Sequence, residues 1–103
     1  MSIKVEVRLL GIFQRLTGKK THQARLQQPA TINQLVAKLT EIFSEEFKQA
    51  LVDSHLNIPQ PNALIVVGGK EIGALQGLNT EIKANDEIIL IPRIHGGYWR
   101  FMK

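Results

Sequence analysis

The chain has no cysteine, and that absence removes several chemistries at once. Disulfides, thiolate metal sites, cysteine-ligated iron–sulfur clusters and thiol nucleophiles are all excluded. Long apolar runs are missing as well: nothing approaches the roughly 20 residues of a membrane span, so no membrane partner is expected. The opening Met1-Ser2-Ile3-Lys4-Val5-Glu6-Val7 alternates charge with apolar residues and does not form the apolar core of a signal peptide, which makes the cytoplasm the default compartment. His22, His55 and His95 share no helical spacing and have no cysteine beside them, so no metal site is expected. Excess charge is small too. Of the net charge of +4, Arg100 and Lys103 supply two, leaving residues 1–97 with only two. Basic residues of the body are scattered apart from Arg15, Lys19 and Lys20, a weak footprint that argues against a nucleic-acid partner. Aromatics are scarce and uneven: Tyr98, Trp99 and Phe101 are three of only six, all within the final six residues.

What is present suits one domain. A chain of 103 residues can bury one core but not two. Ile3, Val5, Val7 and Leu9 alternate with Lys4, Glu6 and Arg8, the period of a half-buried strand. Leu10 to Gly18 breaks that alternation, Thr17 to Lys20 reads as a turn, and His22, Ala24 and Leu26 mark a second strand paired back on the first. Thr31 with Gln34 predicts a capping box. Ile32, Leu35, Val36, Leu39, Ile42 and Phe43 then fall on one helical face. Ser44 followed by Glu45 and Glu46 predicts a second, short helix with Phe47, Ala50 and Leu51 on its apolar side. Asn57 to Asn62, with Pro59 and Pro61, reads as loop.

Ala63-Leu64-Ile65-Val66-Val67 is a continuous apolar run, expected to be a central strand buried on both faces. Gly68-Gly69 then predicts a hairpin into Lys70-Glu71-Ile72. Gly73 to Thr80 is irregular, Lys83 to Asp86 makes a turn, and Glu87 to Pro92 is the last strand. Asp86 and Glu87 are adjacent carboxylates, but neighbours at the start of a strand point to opposite sides, so a turn role is expected over acid–base catalysis.

The chain resembles the sulfur-carrier and small-modifier branch of the ubiquitin-like proteins: the small subunit of molybdopterin synthase, the thiamine-pathway sulfur carrier and the archaeal small modifier proteins. The resemblance spans residues 3–97. It rests on Val5 to Leu9, Leu16 to Lys19, Ile32 to Leu35, Leu64 to Ile72, and above all on Asn85 to Pro92 leading to Gly96-Gly97. It implies an α+β fold of the β-grasp type, a mixed sheet of four to five strands with one main crossover helix and a short second helix. Residues 1–97 would form the domain and 98–103 an aromatic-basic extension. By the same resemblance the chain holds no catalytic residue and binds no cofactor itself. It would be a protein cosubstrate of an E1-like adenylyltransferase, which uses ATP to adenylate Gly97 before thiocarboxylation or conjugation. Gly96 would be the narrow neighbour, since glycine gives reach without bulk, and Arg93, Ile94 and His95 would aim the tail. Sulfur acceptors of such carriers include the molybdopterin synthase large subunit, while thiamine, tRNA thiolation and protein conjugation remain open.

The peptide bond from Gly97 to Tyr98 leaves no carboxylate to adenylate, so the resemblance also implies a protease of the JAMM type. Three readings of Tyr98, Trp99 and Phe101 stand side by side. They form a cleavable cap, a segment that packs on its own domain, or a docking peptide for a partner or a second copy, with the glycines then only a flexible turn.

Overall fold

The computed structural model describes residues 1–53, 58–59 and 63–92. Strand β1 (Ser2–Leu9) keeps its alternation, with Ile3, Val5, Val7 and Leu9 buried and the residues between them exposed. A helix follows that the sequence did not announce, α1 (Ile12–Thr17), which buries Phe13. Strand β2 (Thr21–Gln27) runs antiparallel to β1, from Ser2 opposite Gln27 to Arg8 opposite Thr21. The two-residue strand β3 (Ala30–Thr31) leads into α2 (Ile32–Ile42).

The capping box of α2 is complete. The Thr31 hydroxyl accepts the Gln34 N–H at 3.4 Å, and Gln34 Oε1 accepts the Thr31 N–H at 3.2 Å, satisfying two otherwise orphaned donors. Ile32, Leu35, Val36 and Leu39 are buried as expected, but Ile42 is 45% exposed. Helical geometry ends at Ile42 and Phe43 turns extended, at φ −103° and ψ 178°. Phe43 takes the inward place, with its ring 5.1 Å from Phe47. Ser44 caps α3 (Glu45–Leu51) by accepting the Phe47 N–H at 3.2 Å, with Glu45 and Glu46 in the first turn and Phe47 and Leu51 buried.

Strand β4 (Val52–Asp53) pairs antiparallel with β5 (Ile58–Pro59). Residues 58–59 are therefore bridged, where the prolines suggested loop throughout. A two-residue ladder has no period to read, and proline is tolerated at such an edge. Strand β6 (Ala63–Val67) turns through Gly68 and Gly69, at φ 58° and 85°, into β7 (Lys70–Glu71). Val67 faces Lys70 across this turn, and two successive positive φ values are what a tight two-residue hairpin requires. Two 3₁₀ turns, Ile72–Ala74 and Gly77–Asn79, precede β8 (Glu81–Ile82), which pairs with β3. Asp86 then closes the last turn, its carboxylate accepting the Lys83 N–H at 2.8 Å, with Asn85 left-handed at φ 69°.

Strand β9 (Glu87–Pro92) completes a five-stranded sheet in the order β2-β1-β9-β6-β7. It runs parallel to β1 and antiparallel to β6, giving the mixed sheet of a ubiquitin-like β-grasp fold. The centre is thus held by β9 and not, as expected, by β6. Nor is β6 buried on both faces: Ile65 and Val67 are, while Ala63, Leu64 and Val66 are half-buried. One face of the sheet carries the core with α1, α2 and α3, including an edge-on contact of Phe13 with Phe47 at 5.8 Å.

Candidate functional site at the exit of the central strand

Strand β9 is paired on both sides, and Ile88, Ile89 and Leu90 have a ladder partner on each. Glu87 to Leu90 lie beside Glu6 to Leu9, and Ile88 to Pro92 lie against Val67 to Ala63. Beyond β1 the Leu10 N–H also donates to the Leu90 carbonyl at 3.2 Å. The chain therefore reaches Pro92, in the middle of the sheet, at a fixed point.

Gly11 sets that point. It sits at φ 56° and ψ −127°, a region that essentially only glycine occupies. A Cβ there would lie 2.6 Å from Cγ of Pro92. Both the backbone conformation and the close approach therefore demand glycine, and the Pro92 ring rests where a side chain would otherwise be. Sequence reasoning missed this residue. The available signal was a single glycine between apolar Leu10 and Ile12, at the junction of a strand and a segment that lost its alternation.

Several apolar side chains in the elements around the exit keep part of their surface in solvent. Leu10 and Ile12 are 36% and 37% exposed, and Leu64, Ile91 and Pro92 are half-buried. On the solvent face Leu64 is paired with Ile91 and Val66 with Ile89 across β6 and β9, which makes an apolar patch. Beside it the Arg8 guanidinium lies 3.6 Å from the Glu87 carboxylate. With both side chains about half exposed, that ion pair adds little to stability. Asp86 and Glu87 are not brought together as a dyad, since one closes a turn and the other meets Arg8.

His22 belongs to the inward face of β2 but is only partly buried. Its Nδ1 accepts from Lys19 Nζ at 3.1 Å, and its ring meets Phe43 edge-on at 5.2 Å. Burial, then the charges of Lys19 and Lys38, push its pKa below the ordinary 6.5. The remaining site residues expected from the sequence, Arg93, Ile94, His95, Gly96, Gly97, Tyr98, Trp99 and Phe101, lie outside the described residues, as does His55. Among the described residues no cluster of His, Asp or Glu is arranged for a metal, and no helix is long and apolar enough to cross a membrane.

The ThiS family matches residues 7–97, from within β1 to the second glycine of the pair. The chain belongs to the ThiS family. It is accordingly a member of the ubiquitin-like sulfur-carrier and modifier proteins. A protein of Archaeoglobus fulgidus described as a sulfur carrier is 34% identical over 68 residues, covering 65% of this chain and 74% of that relative. Small archaeal modifier protein 3 of Haloferax volcanii is 21% identical over 95 residues, 92% of this chain and all of that one. The solution structure of small archaeal modifier protein 1 from Methanosarcina acetivorans superimposes with a TM-score of 0.77 at 21% identity, covering 94% of this chain and 99% of that one. At that identity the structural match speaks for the fold.

Proposed function

We propose that this ThiS-family protein is activated at Gly97 after hydrolysis of the Gly97–Tyr98 bond. The domain is then residues 1–97, and Tyr98, Trp99 and Phe101 belong to a removable extension. The observation that carries this reading is the family match, which runs to residue 97 and so takes in the glycine pair but nothing after it. The geometry of the exit supports it: Pro92 leaves a strand clamped on both sides, and Gly11 fixes the proline from beneath.

In this scheme a protease of the JAMM type adds water across the Gly97–Tyr98 peptide and frees the Gly97 carboxylate. An E1-like adenylyltransferase binds ATP. The carboxylate attacks the α-phosphorus, pyrophosphate leaves, and an acyl-adenylate forms. A sulfur nucleophile then displaces AMP to give the thiocarboxylate, or a lysine amine takes the acyl group to give an isopeptide. The carrier contributes reach and docking, not acid, base or cofactor. Gly96 and Gly97 pass a narrow channel because they carry no Cβ, with Arg93, Ile94 and His95 as the contacts that aim them. The apolar surface of Leu64, Val66, Ile89 and Ile91 is of the kind that partner docking covers. The acceptor, whether the molybdopterin synthase large subunit or another protein, then takes the sulfur.

The test is incubation of residues 1–97 and of the full chain with ATP and the cognate adenylyltransferase. The trimmed form is expected to support ATP–pyrophosphate exchange and to gain the mass of the adenylate, and the full chain to do neither. Failure of the trimmed, folded form to be adenylated overturns the proposal.

A further inference from the structure

The sheet has one long edge that pairs with no further strand among the described residues. Strand β2 ends the strand order, pairing over seven residues with β1 and with no other strand. The opposite edge carries only the two-residue β7. Hydrogen bonds flanking the β1–β2 ladder fix which groups of β2 face outward. The Gln28 N–H donates to the Met1 carbonyl and the Leu9 N–H to the Lys20 carbonyl, both at 2.8 Å. Bonded and non-bonded pairs alternate in an antiparallel ladder, so Leu26, Ala24 and His22 exchange hydrogen bonds with β1. The N–H and C=O groups of Thr21, Gln23, Arg25 and Gln27 therefore point away from the sheet.

Beside this edge runs a groove of about 310 Å³, lined by Arg25, Leu26 and Gln27 on the strand and by Gln34 and Lys38 on α2. No acid lines it. The acid of α2, Glu41, lines a different groove with Asn33, Val36 and Thr40. Lys19 and Lys38 both act on His22 of β2, which sets their charges along the same edge. On the solvent face β1 offers Glu6 opposite Gln23, flanked by Lys4 and Arg8.

We propose that the β2 edge and its groove with α2 are a docking site for an extended acidic peptide segment of another protein, added as a sixth strand. Main-chain groups of such a peptide bond Thr21, Gln23, Arg25 and Gln27, alternate apolar side chains enter the groove over Leu26, and its acids meet Arg25 and Lys38. A second copy of this chain is not the occupant of choice, because its own β2 holds no Asp or Glu to meet Arg25 and Lys38. Charged edges are how sheets avoid self-pairing. The site lies apart from the exit at Pro92 and uses none of residues 93–103, so it stands or falls separately from activation at Gly97.

The experiment is a titration of the ¹⁵N-labelled full chain with a short synthetic peptide alternating valine with glutamate, and with its counterpart alternating valine with lysine. The glutamate peptide is expected to shift the amides of Thr21, Gln23, Arg25 and Gln27 and to slow their exchange with solvent. The lysine peptide is expected to leave them unchanged. Gln23→Pro removes one outward N–H without touching the ladder to β1 and should weaken binding several-fold. Arg25→Glu with Lys38→Glu should weaken it about ten-fold while the chain keeps its melting temperature. Shifts centred on Val66 and Ile89, equal response to both peptides, no shift at millimolar peptide, or full affinity in the folded double variant would each overturn the proposal.

Discussion

Ile88 and Leu90 on β9 face the helices and are fully buried, while Ile89 and Ile91, one residue away, are half-exposed on the other side. The same contrast runs along β6, where Ile65 and Val67 are buried and Leu64 and Val66 are not. Chemically the two sets are alike. What separates them is cover: three helices lie over one face, and nothing among the described residues lies over the other. On β1 and β2 the solvent face is instead polar, from Lys4 and Glu6 to Gln23 and Arg25. The apolar half of that face thus sits beside the strand exit and the polar half at the far edge. One face of the sheet holds the fold together, and the other is left partly in contact with solvent.

The contrast breaks most sharply on a single strand. Leu90→Ala should cost about 2–5 kcal/mol, the usual range for emptying a fully buried leucine site. Ile89→Ala, its immediate neighbour, should cost under about 1 kcal/mol. Chemical denaturation of the two variants tests this, and equal losses would mean that the outer face is covered after all. Gly11→Ala comes next. Forcing a Cβ into that backbone region, against Pro92, should cost about 1–3 kcal/mol, measurable as a drop in melting temperature. Its effect should also reach the outer face, shifting the amides of Ile91 and Leu64 more than those of β2. The smallest effect concerns His22, where the inner face is least dry. Its pKa is lowered in the folded state, so on acidification the unfolded chain takes up the proton first. Stability present above pH 6.5, the ordinary histidine value, should be lost as pH falls through the lowered pKa, and then level off. His22→Gln should flatten that part of the stability profile while leaving the neutral-pH value nearly unchanged.

The elements that could be read in the sequence are those with a local chemical signature. Thr31 and Gln34 announced α2 because a capping box needs those side chains at that spacing, and Gly68-Gly69 announced its hairpin because two successive positive φ values favour glycine. The short helix α1 had neither signature: it starts at Gly11 without a side-chain cap and buries only Phe13. Ile42 followed the helical period but lies where the helix stops, and periodicity does not record where a helix stops. The apolar run of β6 was misread for a deeper reason. Continuous hydrophobicity reports that both faces avoid water in some state of the protein, not that the chain itself covers both. Within the candidate site, the glycine pair was visible as a motif, whereas Gly11 was not. Its requirement comes from Pro92, some eighty positions away in the chain, and no local pattern carries a long-range contact.

The position of β9 has a consequence for the order of assembly. It is the last strand in sequence among those described, yet it occupies the middle of the sheet, between β1 and β6. Until it inserts, the β1–β2 hairpin and the β6–β7 hairpin have no shared neighbour and form two unconnected halves. Closing the sheet therefore waits on contacts between distant parts of the chain, the slow kind. Strand β9, and with it the exit at Pro92, is therefore settled only once the strands on both sides of it have found their places.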